Sequence, residues 1–188
     1  MKLNMKKNFL LIAGFFFLNF TIQAQSTVPA ANVVLKKAVT DAGNQNKKVL
    51  LIFHASWCGW CHRMDAALND EVCKKLFDDN FIIEHITVME SKGKENLENA
   101  GGKEMMEKYN GKDMGLPYWV VLDKDAKLLY DSQEKVTMAD GTVKGQNIGC
   151  PATEKEVEKF IAILKKTTSL TASQLAIIAK RFRQNESK

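Results

Sequence analysis

The chain has 188 residues, 45% hydrophobic and 26% charged, with 11 Gly, 3 Pro and 9% aromatics. That balance fits one globular domain with its own core and excludes a disordered chain, a collagen or a disulfide-dense mini-protein. Lys and Arg outnumber Asp and Glu by 27 to 22, but Lys2, Lys6 and Lys7 crowd an acid-free start. Without them the balance is close to neutral, which gives no support to nucleic-acid binding.

Residues 1–24 read as a secretory signal. The basic stretch precedes the apolar run Phe9 to Phe20, shorter than the roughly 18–20 residues that span a bilayer. Thr21-Ile22-Gln23-Ala24 then offers small residues for cleavage, after Ala24. An uncleaved membrane anchor is the alternative. No cysteine precedes Cys58, so an acylated cysteine at a new N-terminus is excluded. The mature domain, residues 25–188, is expected to be exported, into the periplasm or, alternatively, to the outside. It should not insert stably in a membrane after cleavage, and it should meet conditions where disulfides persist.

Ser26 to Pro29 is a short linker. Ala30 to Ala42 predicts a helix that stops at Gly43. Lys48 to His54 is a continuous apolar run, the mark of a strand buried on both faces. Ala55 to Gly59 breaks the pattern, and helical character resumes from Trp60 to Leu68, with Met64 and Leu68 as core. Asn69 or Asp70 can cap a further helical piece ending near Asn80, with Val72, Leu76 and Phe77 on one face. Phe81 to Val88 predicts a strand. Ser91 to Gly102 is polar and Gly-bearing, an exposed insertion, and Lys103 to Tyr109 is helical.

After Gly115-Leu116-Pro117, the strands Tyr118 to Asp123 and Lys127 to Asp131 form an antiparallel hairpin. Gly141 to Cys150 reads as a loop. Thr153 and Glu156 form a capping box for a helix to about Lys166, burying Val157, Phe160, Ile161 and Leu164. Thr171 and Gln174 offer a second box before Leu175 to Phe182; the extension from Thr171 to Lys188, basic at Lys180, Arg181 and Arg183, reads as a solvated face, with docking of a partner as the alternative. The order β-α-β-α-β-β-α implies a mixed central sheet of four to five strands, flanked by helices on both faces, with an extra C-terminal helix over 171–183.

Cys58-Gly59-Trp60-Cys61 carries the chemistry. It follows a buried strand and opens a helix, where free backbone N–H groups and the dipole favour thiolate over thiol. A three-residue step brings the second sulfur within reach. Cys58 is then the exposed nucleophile and Cys61 the resolving thiol of a dithiol–disulfide exchange through a mixed disulfide. A zinc site wants a second pair or histidines at ligand spacing. Cys73 and Cys150 stand alone and His54 and His62 make no such pattern, so no metal and no cofactor is expected. A purely structural staple remains as an alternative, although so short a loop removes little chain entropy. Trp57 and Trp60 bracket Cys58, either as an apolar contact patch for a partner or with Trp57 packed on the domain. Cys73 and Cys150 either bridge as a second disulfide or stay buried and free.

Phe53-His54-Ala55-Ser56-Trp57-Cys58-Gly59-Trp60-Cys61, followed by Gly115-Leu116-Pro117, resembles the thioredoxin superfamily. Trp-Cys-Gly-Trp-Cys ahead of an Asn-Asp-Glu-Val segment is similar to its exported bacterial members. The resemblance covers roughly residues 48–164. It implies a thioredoxin-like α/β fold and a cis bond before Pro117 facing the cysteine pair. It also implies a substrate surface made by Trp57, Gly59, Trp60, Leu116 and Pro117, the backbone of Leu116 pairing with an extended substrate segment. The implied activity is that of an exported protein thiol–disulfide oxidoreductase, whose partners are protein thiols and disulfides and an unidentified redox partner. The alternative is a non-catalytic binding module or metal carrier using the same pair. The sequence departs from the family in Trp60, where thioredoxins have Pro, and in Ile52, where they keep a buried acid. Glu84 or His85 on the next strand is the candidate replacement for proton handling.

Overall fold

The apolar run predicted as a doubly buried strand is the centre of the molecule. In a computed structural model that describes residues 28–186, it forms β1 (Lys48–His54), with every inner position buried. The signal segment read over residues 1–24 lies outside the described residues. β1 lies between β2 (Phe81–Thr87), to which it runs parallel, and the antiparallel β3 (Tyr118–Leu122); β4 (Leu128–Asp131) closes the order β2-β1-β3-β4. Parallel neighbours need a long crossover, supplied by α2 (Gly59–Leu68) and α3 (Lys74–Asp78). The central sheet is therefore mixed and four-stranded.

Alternation along β1 sorts the core into two layers. Leu50 and Ile52 pack with Met64, Ala67 and Leu68 of α2, and with Phe160 and Phe182 of α5 (Glu154–Thr167) and α6 (Ala172–Arg183). Val49, Leu51 and Phe53 face α1 (Ala31–Gln45) and α4 (Gly102–Lys108), through Ala38, Ala42 and Met106. Both predicted capping boxes are formed, at Thr153 with Glu156 and at Thr171 with Gln174.

Several local expectations are corrected. α1 runs past Gly43 to Gln45 and ends at Asn46, whose φ of 52° lies in the left-handed region. The piece after Asp70 is mostly turn, with helix only over Lys74–Asp78, and Val72 is exposed. On α5 the core face takes Ile163 fully and Ile161 only partly. Arg181, read as solvated, is buried.

The loop read over Gly141 to Cys150 instead contributes the second strand of a separate hairpin, β5 (Gln133–Thr137) with β6 (Val143–Asn147). Its residues are polar and largely exposed, so hydrophobic alternation had nothing to register; backbone pairing and the Met138–Thr142 turn define it. The polar insertion is exposed from Ser91 to Leu97 but anchored at its end. Asn99 is buried, its amide donating to the Pro29 carbonyl and its Oδ1 accepting from the Thr87 N–H at 2.7 Å.

Candidate active site: a cysteine pair facing a proline loop

β1 ends at His54, and the chain turns through Ala55–Trp57 so that Cys58 becomes the N-cap of α2. Its Sγ accepts the Cys61 backbone N–H at 3.1 Å, a helix-start donor that the Cys58 carbonyl shares at 3.1 Å. Cys58 and Cys61 are joined by a disulfide, with Cα atoms 5.2 Å apart. Cys58 is 4% exposed and Cys61 1%. Both are buried, and Cys58 is far less open than the exposed nucleophile expected, because Ala55 lies beside the pair and Leu116 packs against it.

The Leu116–Pro117 peptide bond is cis. Trp57 and Trp60 flank the pair at 54% and 45% exposure, so neither is core. Trp57 is held by its indole N–H, which donates to the Met89 carbonyl, while the Arg63 guanidinium lies 4.4 Å over the Trp60 ring. Ser56 donates from both its backbone N–H and its hydroxyl to the Glu90 carboxylate, at 2.6 and 2.7 Å. Despite desolvation, which works against it, these bonds hold the Glu90 carboxyl below its usual range. Sequence reasoning missed Glu90, a lone acid at the mouth of a polar loop, because nothing local marks its contact with Ser56.

Ile52 is buried, and His85 stands opposite it in the strand register. His85 is therefore on the α2 face, where its Nε2 lies 2.8 Å from Asp65 Oδ1 and its ring 4.9 Å from that of His54. Burial, then the neighbouring His85, pushes the His54 imidazole below its ordinary value. Glu84 stands opposite Leu51, which belongs to the α1 layer, so Glu84 lies on the far face of the sheet from α2.

Cys73 and Cys150 are both buried and both free; the second bridge that the sequence allowed is not formed. Cys73 starts α3 within the aromatic core, whereas the Cys150 Sγ lies 3.3 Å from the Asn185 amide nitrogen. Burial pushes the thiols up to about 11 and about 12 respectively.

A groove of about 500 Å³ opens beside the disulfide, between Trp60, the Met114–Pro117 loop and the hairpin exit at Asn147–Gly149. Asn147 and Gly149 were not foreseen. Among the described residues, no group of three or more His, Cys, Asp or Glu is arranged to hold a metal ion, and no helix is long and apolar enough to cross a membrane.

A model of the thioredoxin-like family matches residues 31–124, so the match starts at α1, earlier than the motifs alone suggested. No curated protein sequence matches significantly. Among solved structures, a disulphide isomerase from Xylella fastidiosa Temecula1 is 26% identical, covering 61% of this chain and 79% of that one at a TM-score of 0.46. The oxidised C-terminal domain of DsbD from Neisseria meningitidis is 20% identical, covering 74% and 98% at a TM-score of 0.44. A DsbH oxidoreductase is 20% identical, covering 71% and 81% at 0.41. With half its length matched by the family and the pair in the family's position, the chain belongs to the thioredoxin-like family.

Proposed function

We propose that this protein is an exported protein thiol–disulfide oxidoreductase that works through a mixed disulfide, with Cys58 as nucleophile and Cys61 as resolving thiol. The observation that carries the reading is the Cys58–Cys61 disulfide at the start of α2, with Leu116 of the proline loop packed against it. In the reduced form the Cys61 N–H that meets the Cys58 Sγ, with the helix dipole behind it, favours a thiolate there.

That thiolate attacks one sulfur of a client disulfide; the client bond breaks, and the departing sulfur takes up a proton. Cys61, once deprotonated, attacks the Cys58 sulfur and expels the second client thiol, leaving the oxidised pair and a reduced client. Two electrons and two protons reach the client, and the reverse sequence oxidises a dithiol. His85, bonded to Asp65 on the α2 face, is the remaining candidate for handling the Cys61 proton, since Glu84 faces away. Trp57, Gly59, Trp60, Leu116 and Pro117 form the proposed client surface. Export, to the periplasm or beyond, rests on the leader at residues 1–24.

Purified variants test this. Cys58→Ser abolishes reduction of a model protein disulfide, and Cys61→Ser accumulates mixed disulfides visible on non-reducing gels. Normal turnover by both single variants refutes the assignment.

A further inference from the structure

The proline loop is held by a side chain that the redox chemistry does not use. Asn147, the last residue of β6, donates from Nδ2 to the carbonyls of Gly115 at 2.7 Å and Pro117 at 3.0 Å. Its Oδ1 is fixed in turn by the Ser132 hydroxyl at 2.7 Å and the Gly149 N–H at 3.1 Å. Ser132 is fully buried, so the amide is anchored from the core side and cannot turn without breaking bonds that are partly buried. A second observation ties the same segment to the loop. Gly149 sits at φ 56°, and a Cβ there would lie 3.7 Å from the Pro117 carbonyl oxygen and 3.8 Å from its Cδ. Gly149 also accepts the Trp119 indole N–H at 2.8 Å.

The clamp takes up the carbonyls on either side of Leu116 and leaves Leu116 itself open. The Leu116 backbone N–H and C=O have no partner among the described residues. We infer that Asn147 is a positioning residue for client recognition: it sets the Gly115–Pro117 loop so that Leu116 presents both backbone groups to an extended client segment. That segment lies in the groove between the loop and the hairpin exit, beside its own cysteine at Cys58. The inference rests on the exchange reading above. It adds that recognition depends on a hairpin beyond the family match, which ends at residue 124. A main-chain ladder suits any extended peptide that carries the cysteine, so the ligand class is an unfolded or loop segment of a protein.

The readout is a ratio. Reduced protein is assayed against insulin, a protein disulfide, and against a small aromatic disulfide that needs only an accessible thiolate. In Asn147→Ala, kcat/KM for insulin relative to the rate with the small disulfide falls about tenfold, through KM, as expected when a positioning contact is loosened. Ser132→Ala, which removes the hydroxyl that fixes the Asn147 Oδ1 and keeps the backbone bond to Ile148, lowers the same ratio. An unchanged ratio in Asn147→Ala overturns the inference. A fall in Asn147→Ala with none in Ser132→Ala replaces positioning by direct contact and overturns it too. The wild type supplies a check independent of folding defects: its Asn147 side-chain amide protons exchange slowly with solvent, and fast exchange removes the clamp. Lack of any Cys58-dependent reduction of the small disulfide fails the exchange reading itself, which separates the two failures.

Discussion

Replacing Arg181 by Met tests whether α6 belongs to the fold or is a solvated appendage. The Arg181 side chain is 8% exposed, with Nε 2.6 Å from Asp70 Oδ2 and Nη1 3.2 Å from Asn185 Oδ1. Met keeps the apolar stem, so packing changes little and the charge-assisted bonds are what is lost. Stranding a fully buried charge costs about 3–5 kcal/mol. The Asp70 carboxylate, at 29% exposure, still reaches water, so the loss falls below that limit. At about 1.5–3 kcal/mol for bonds to a charged group, we expect about 2–3 kcal/mol. A domain of this size loses about 2–4 °C of Tm per kcal/mol, so thermal denaturation of the oxidised protein should show a fall of about 5–10 °C. Lys180→Met, on the exposed side of the same helix, should stay within about 0.5 kcal/mol. Equal, small effects of the two substitutions refute the buried pair and restore the solvated reading. A cycle with Asp70→Asn isolates the coupling, expected above about 1 kcal/mol.

Two further outcomes follow from the titrating groups. With Cys73 and Cys150 raised by burial to about 11 and about 12, little thiolate exists at neutral pH. The native oxidised protein should therefore resist an aromatic disulfide reagent, and denaturant should release both thiols; rapid native labelling contradicts the burial. His54 is lowered by burial and then by His85, with Asp65 and Glu90 opposing. A depressed imidazole takes up its proton later than in the unfolded chain, so stability falls as pH drops below the ordinary value of about 6.5. Urea midpoints at pH 7 and pH 5 should converge in His54→Gln relative to wild type; an unchanged gap rejects this account.

What the sequence revealed is what local chemistry dictates. Lys48–His54 reads as a central strand because burial on both faces removes the polar alternation. Thr153 and Thr171 announce helix starts because a capping box closes within four residues. The cysteine pair is legible because three residues suffice to bring its sulfurs together. Arg181 was misread because its partner, Asp70, lies 111 residues away, and no helical periodicity carries that contact. The β5–β6 hairpin escaped because neither of its faces is buried enough to leave a pattern; backbone pairing and polar side-chain bonds, not an apolar face, hold it. Asn147 escaped for the same reason: its partners are carbonyls 30 and 32 residues earlier, and a main-chain oxygen leaves no trace in a side-chain code.

The β5–β6 hairpin and the buried Arg181 both follow the family match, and that bears on how the proposed exchange is controlled. The groups that perform it, Cys58, Cys61 and the Pro117 loop, all fall within the family match, whereas Ser132, Asn147, Gly149 and α6 follow it. Cys58 is only 4% exposed and Leu116 packs against the pair, so in the proposed exchange Leu116 limits how a client sulfur reaches it. The loop carrying Leu116 takes its position from Asn147, and the groove beside it is walled by the hairpin exit. A thiolate reacts with any disulfide that reaches it in line. On the proposed exchange, discrimination among clients would therefore be set by the approach path, and in this chain the groove on that path is walled largely by residues the family motif does not include.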